Sequence, residues 1–167
     1  PLHEVFDKTC ERARIRGMRV TGSELIGLVP KKVLIDAGKF YLAKQNRSKA
    51  IPEREIIHIA VKSLGLDELG PFNPDSRIIE YMIDEKNRSL SKKTITEFAN
   101  ITSSESPAPG GGSISAYCGA LGVSLAVMVA NLSAHKRGWD DKWEFYSNIG
   151  EKGMVLQSQL LDLVDED

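Results

Sequence analysis

The sequence predicts a mostly α-helical chain: an N-terminal piece drawn from an α/β (or α+β) domain, followed by part of an all-α helical bundle. Three observations predict it. Apolar residues recur at helical spacing along most of the 167 residues. One segment alone, Val20–Val29, has strand composition, and the charged, turn-prone run Asp84–Lys93 carries no apolar stripe. The resulting division is residues 1–84, a linker at 85–93, and residues 94–167. One strand makes no sheet, so its partners are expected before residue 1.

Taken in order, Leu2, Val5, Phe6, Thr9, Cys10 and Ala13 share one face of a helix over residues 2–16, which Gly17 ends. Val20–Val29 contains Gly22 and Gly27, and glycine inside a strand marks a bulge or a close backbone approach. Pro30 opens a helix through Gln45, because proline at the first helical position needs no N–H; Val33, Leu34, Ala37, Tyr41 and Leu42 face inward. Pro52 begins a further helix with Ile56, Ile59, Ala60 and Leu64 inside, closed by Gly65. Gly70–Pro74 is a turn, and Pro74–Met82 a short helix. Beyond the linker everything reads helical: Thr94–Ser103, Gly112–Ala134, and Asp140 to the end.

Composition narrows the function. Hydrophobic residues at 41% and charged residues at 27% are globular values, so a disordered or fibrous chain is excluded. With 22 Lys+Arg against 23 Asp+Glu there is no basic field to hold a nucleic acid. Cys10 and Cys118 match no disulfide or metal spacing, and His3, His58 and His135 have no partner at i+4, so no metal is expected. The expected setting is reduced and cytoplasmic. The chain starts on Pro1 and stops in full helical periodicity without a stop signal, which reads as a piece of a longer protein.

Ser106–Ala134 contains no charged residue and is long enough to span a bilayer. Half of its core is small, however: Ser115, Ala116, Gly119, Ala120, Gly122, Ser124, Ala126 and Ala130. The rows Ser115/Gly119 and Gly122/Ala126/Ala130 suit close helix approach. A buried core or subunit-interface helix is therefore expected, rather than a membrane span.

Just before it stands Ser106-Pro-Ala-Pro-Gly-Gly-Gly-Ser113. Gly110, Gly111 and Gly112, after Pro109, can adopt positive φ and bare their N–H groups. Ser113 then lies near a helix N-terminus, where a carboxylate, phosphate or oxyanion is favoured. The loop is no Walker A motif and no GxGxxG after a strand. A tight helix–helix corner is the other reading.

The run Ser106–Ala116, followed by Gly119–Leu132, resembles the start of the formimidoyltetrahydrofolate cyclodeaminase domain and of the related methenyltetrahydrofolate cyclohydrolases. Upstream, Val20–Pro30, Leu64–Phe72 and Arg77–Tyr81 resemble the end of glutamate formimidoyltransferase. Their order is that of the bifunctional formimidoyltransferase-cyclodeaminase family. The resemblance implies an enzyme of histidine breakdown that moves a formimidoyl group from formimidoylglutamate to tetrahydrofolate, then closes the product to methenyltetrahydrofolate with loss of ammonia. It implies polyglutamylated tetrahydrofolate as cosubstrate, no metal, no nucleic acid or membrane partner, and self-association through the helical domain. Pro109, Gly110, Gly111, Gly112 and Ser113 become folate-binding candidates, and Lys136 and Arg137 candidates for the polyglutamate tail. A fusion with a cyclohydrolase domain and a non-catalytic oligomerisation module are the alternatives.

Leu163–Asp167 resembles the cyclodeaminase segment that carries its essential aspartate, leaving Asp165 and Asp167 open. Helical phase separates them. Taking about 100° per residue with Leu160 at zero, Val164 falls near +40°, Leu163 near −60° and Asp167 near −20°, within the stripe Leu156/Leu160/Leu163/Val164. Asp165, at about 140°, falls on the wet face. A core-facing carboxylate is costly unless paired, protonated or functional, so Asp167 is the expected proton carrier.

Overall fold

The computed structural model describes residues 1–83 and 90–166. Among these the regular structure is helical, and no β-strand occurs. The chain divides into two units, residues 1–85 and 86–167.

The first unit holds α1 (Leu2–Ile15), α2 (Lys31–Lys44), α3 (Glu53–Leu64), α4 (Pro74–Arg77) and α5 (Ile79–Ile83). Its core joins Leu34, Ala37 and Tyr41 of α2 to Ile57, Ala60, Val61 and Leu64 of α3, with Val29, Leu66 and Ile78 closing it. Leu34, Ile57, Leu64 and Ile78 are fully buried, each worth roughly 1.5–3 kcal/mol of transfer free energy. Gly38 lets α2 approach α3: a Cβ there would lie 2.2 Å from the Ile56 carbonyl oxygen. Gly65 closes α3 in the left-handed region (φ 60°), as its position in the sequence predicts.

Three expectations change in this unit. The covered line of α1 runs through His3, Phe6, Asp7 and Cys10, while Val5 points outward. The rotation follows its anchors on α2. His3 stacks on Phe40 at 4.4 Å, and Asp7 accepts from the Tyr41 hydroxyl (3.1 Å) and pairs with Lys44. Burial first, then the Asp7 carboxylate, pushes the Tyr41 phenol well above its ordinary value.

The second change is at Val20–Val29, which forms no strand. A strand needs a ladder, and these residues instead bond to the α3 end and to Arg77. The Ser23 N–H donates to the Gly65 carbonyl (3.0 Å) and its hydroxyl to the Leu64 carbonyl (2.6 Å). Among the described residues the pairing is one parallel bridge between Val29 and Ile78. The close approach expected of the glycines is found at Gly22, where a Cβ would sit 2.8 Å from the Gly65 carbonyl oxygen. That bridge makes the third change. Ile78 turns extended (φ −94°, ψ 123°) to meet Val29, splitting the expected Pro74–Met82 helix into α4 and α5.

The second unit holds α6 (Ile95–Thr102), α7 (Gly111–Ala134) and α8 (Trp143–Glu166). Thr94 and Glu97 form a capping box at the start of α6. The Thr94 backbone N–H, then its hydroxyl, hold the Glu97 carboxyl below the usual range. Phe98 of α6 meets Tyr117 of α7, ring centroids 5.4 Å apart.

Helices α7 and α8 form an antiparallel hairpin. Ser113 bonds Val164, Gly119 faces Leu160, Ser124 bonds Gln157 and Val127 lies on Gly153. A Cβ at Gly153 would fall 2.4 Å from a Val127 methyl, so this glycine sets how closely the helices approach. The expected small-residue rows lie only partly on the covered side, which holds Gly119 and Ala130. Gly122 and Ala126 face away from α8, and a Cβ at Gly122 meets nothing within 4 Å. Leu121, Leu125, Val129 and Leu132 also face outward and are at least half exposed. Among the described residues only one side of α7 is thus buried, which is less than a core helix requires and leaves the subunit-interface alternative as the expectation. By length and composition α7 could cross a membrane. On α8 the covered line is Ser147, Gly150, Gly153, Gln157, Leu160 and Val164, whereas Leu156 and Leu163 are about half exposed. The tight seam explains this: α8 turns its small residues toward α7 and its larger ones away.

Candidate functional site

The glycine-rich loop is built to start a helix. The Ser106 hydroxyl donates to the Ala108 carbonyl (2.7 Å), the Ala108–Pro109 peptide is cis, and Pro109 is buried. Gly110 is the N-cap, with extended backbone (φ −92°, ψ −168°). Gly111 and Gly112 are the first two residues of α7. None of the three has positive φ, which corrects the expected left-handed loop; the glycines with positive φ are Gly17, Gly27, Gly65 and Gly138. Helical geometry alone directs the first-turn N–H groups along the axis. The ladder begins at Ile114, whose N–H donates to the Gly110 carbonyl (3.1 Å), and no side chain caps the turn.

The candidates around this helix start separate into two kinds. Gly111 and Gly112 are exposed, and a Cβ on Gly111 would meet nothing within 4 Å. An anionic group can approach backbone there. Ser113 is fully buried, and its hydroxyl donates to the Val164 carbonyl (3.0 Å). Its side chain therefore ties the start of α7 to the end of α8. Pro109 and Ser113 are both buried, unlike Gly111 and Gly112.

That same end of the hairpin carries Asp165. Its Oδ1 accepts from the backbone N–H of Leu90 (2.7 Å) and of Ser91 (3.3 Å), and its Oδ2 from the Ser91 hydroxyl (2.5 Å). Asp167 lies outside the described residues. The phase argument for it also shifts: the covered line of α8 is centred near +40° on the scale of about 100° per residue, some 100° from Asp165 and 60° from the value calculated for Asp167.

Lys136 and Arg137 stand elsewhere. They follow the other end of α7, which at 24 residues is about 36 Å long. Lys136 and Lys142 lie over the Trp139 ring, 4.2 and 4.7 Å from its centroid. The two groups of folate candidates thus occupy opposite ends of the hairpin, so one headgroup cannot touch both. Among the described residues no group of His, Cys, Asp or Glu is arranged to hold a metal ion.

Ser91 was invisible to sequence reasoning, because it sits in a charged run and its partner is 74 residues away. No local signal marks it.

Comparison with known families matches the chain in two parts. Residues 1–84 match the formiminotransferase domain family, and residues 94–167 match the family described as formiminotransferase-cyclodeaminase. The chain belongs to the formiminotransferase-cyclodeaminase family. It is 37% identical to a formimidoyltransferase-cyclodeaminase of Gallus gallus over 100% of this chain and 31% of that protein. It is 38% identical to that of Sus scrofa and 37% to that of Mus musculus, over 99% of the chain and 31% of each. The chain therefore spans just under a third of the length of these curated relatives. Of the 85–93 stretch between the two family matches, residues 85–89 lie outside the described residues, while Leu90 and Ser91 are held by α8.

Proposed function

We propose that the protein carrying this chain transfers a formimidoyl group from formimidoylglutamate to tetrahydrofolate and then cyclodeaminates 5-formimidoyltetrahydrofolate. In this reading residues 1–84 are the C-terminal part of the transferase domain, and residues 94–167 the N-terminal part of the cyclodeaminase domain. The observation that carries it is the order of the two family matches on one chain, over relatives named for both activities. The first unit is then part of an α/β domain, although Val20–Val29 forms no strand in this chain. Polyglutamylated folate as cosubstrate, self-association through the helical domain, a cytoplasmic location and a place in histidine degradation belong to the same proposal.

In the second step the N10 nitrogen of the folate attacks the formimidoyl carbon. The ring closes, and the amine nitrogen leaves as ammonia after taking up a proton. Charge develops on the reacting amidine and on the departing nitrogen. The exposed N–H groups of Gly111 and Gly112 suit an anionic part of the folate at the α7 N-terminus. Asp167, one residue beyond the described end of α8, is the proposed proton carrier. Lys136 and Arg137, about 36 Å away by helix length, suit only a distant part of a long polyanionic tail.

The test is to incubate the full-length protein with formimidoylglutamate and tetrahydrofolate while following both ammonia and methenyltetrahydrofolate. Equal, simultaneous appearance of the two supports the proposal. Hydrolysis of supplied methenyltetrahydrofolate without ammonia release from the formimidoyl compound would assign the helical part to a cyclohydrolase instead.

A further inference from the structure

We infer that Asp165 is a positioning residue, acting through Ser91 and the end of α8 to hold the α7 N-terminus in place, and that it carries no proton in the reaction. The inference rests on the cyclodeaminase reading above for its kinetic consequence, but not for its geometry.

A carboxylate offers about four acceptor sites. Oδ1 of Asp165 is engaged by two backbone N–H groups, those of Leu90 and Ser91, and Oδ2 by the Ser91 hydroxyl. A group that ferries protons needs an oxygen turned toward the reacting atoms. Here both oxygens are turned toward the 90–91 turn. The neighbouring residue completes the link: the Val164 carbonyl accepts from Ser113, the third residue of α7. Val164 and Ser113 are both essentially fully buried. Three segments are thereby joined at one point: the turn leading into α6, the last turn of α8, and the first turn of α7. Release of the Asp165 clamp frees the last turn of α8, and with it the Val164 carbonyl that seats Ser113. The exposed Gly111 and Gly112 would then lose their fixed direction. Chemistry that depends on backbone N–H groups is sensitive to such loss, because misplacement by about 1 Å weakens the hydrogen bonds made in the transition state.

Asparagine separates positioning from proton transfer. Its carbonyl oxygen accepts from the same N–H groups, and its amide can donate to the Ser91 oxygen, but it cannot carry a proton between substrate atoms. In the full-length protein, Asp165→Asn should keep ammonia release within about threefold of the parent, whereas Asp165→Ala should lose about tenfold or more, as removal of the acceptor from this part-buried hydrogen-bond set leaves two N–H groups and a hydroxyl without it. The pH–rate profile of Asp165→Asn should superimpose on that of the parent. Ser91→Ala should lower turnover in the same direction, and the Ser91→Ala/Asp165→Ala pair should be no worse than Asp165→Ala alone. An Asp165→Asn protein as inactive as Asp165→Ala, or a Ser91→Ala protein indistinguishable from the parent, would overturn the inference. Amide exchange at Leu90 and Ser91 is measured on the same proteins. Faster exchange in Asp165→Ala supports the clamp even if the parent releases no ammonia, which would overturn only the cyclodeaminase reading. Unchanged exchange overturns the clamp.

Discussion

Single glycines report most directly on how tightly this chain is assembled. Gly38 and Gly153 stand where a Cβ would collide with an Ile56 carbonyl and a Val127 methyl, whereas Gly111 faces open space. Gly38→Ala must push backbone against backbone and should lower stability by about 1–3 kcal/mol, read as a fall in the melting midpoint. Gly111→Ala should cost no stability, since alanine suits a helix better than glycine. It should nevertheless weaken folate binding, measured by titration with tetrahydrofolate, because a methyl group then shields the N–H groups. Equal loss of folding and binding would return the loop to a purely structural corner. At this scale the sequence was informative about glycine and silent about serine. The close approach at Gly22 and the helix stop at Gly65 were legible from spacing. The burial of Ser113 and the clamp at Ser91 were not, because both depend on partners more than fifty residues away.

Elements were legible where their signals are local. The Thr94–Glu97 capping box starts α6 as its residue types require. Its Glu97 carboxyl is held low in the folded state by Thr94. A group whose folded value is depressed adds stability above its unfolded value, and that contribution is lost as pH falls through the folded one. Acidification below the ordinary glutamate range should therefore open the first turn of α6, seen as faster exchange of the Glu97 amide, which bonds the Thr94 side chain. Glu97→Gln should flatten that pH dependence; an unchanged pH profile would mean the cap does not hold in solution. Faces were less legible than elements. Apolar residues occur on both sides of α7 and α8, so periodicity alone could not tell the seam from the outer surface. The seam proved to be the line of small residues at Gly119, Gly150 and Gly153 rather than the row Gly122/Ala126. Accordingly Gly153→Leu should disrupt the hairpin, while Gly122→Leu should leave the folding of this chain unchanged. Circular dichroism melts of the two variants decide it, and equal melts would contradict the seam.

For the molecule as a whole, the mostly helical class was legible from periodicity, whereas the α/β character of residues 1–84 was not realised. Val20–Val29 has strand composition, yet a ladder is a property of two segments, and the described residues supply only the bridge to Ile78. The outer face of α7 follows the same logic: Leu121, Leu125, Val129 and Leu132 are at least half exposed among the described residues. Both features agree with a chain that spans just under a third of its curated relatives. The central claim is that the second unit belongs to a cyclodeaminase whose proton carrier is Asp167 and whose Asp165 is structural. Ammonia release from 5-formimidoyltetrahydrofolate, compared between Asp167→Asn and Asp165→Asn in the full-length protein, tests it most directly. Asp167→Asn should lose about a hundredfold or more, the scale of a missing general acid–base group, with formimidoyl transfer intact, while Asp165→Asn stays close to the parent. An inactive Asp165→Asn beside an active Asp167→Asn would contradict it.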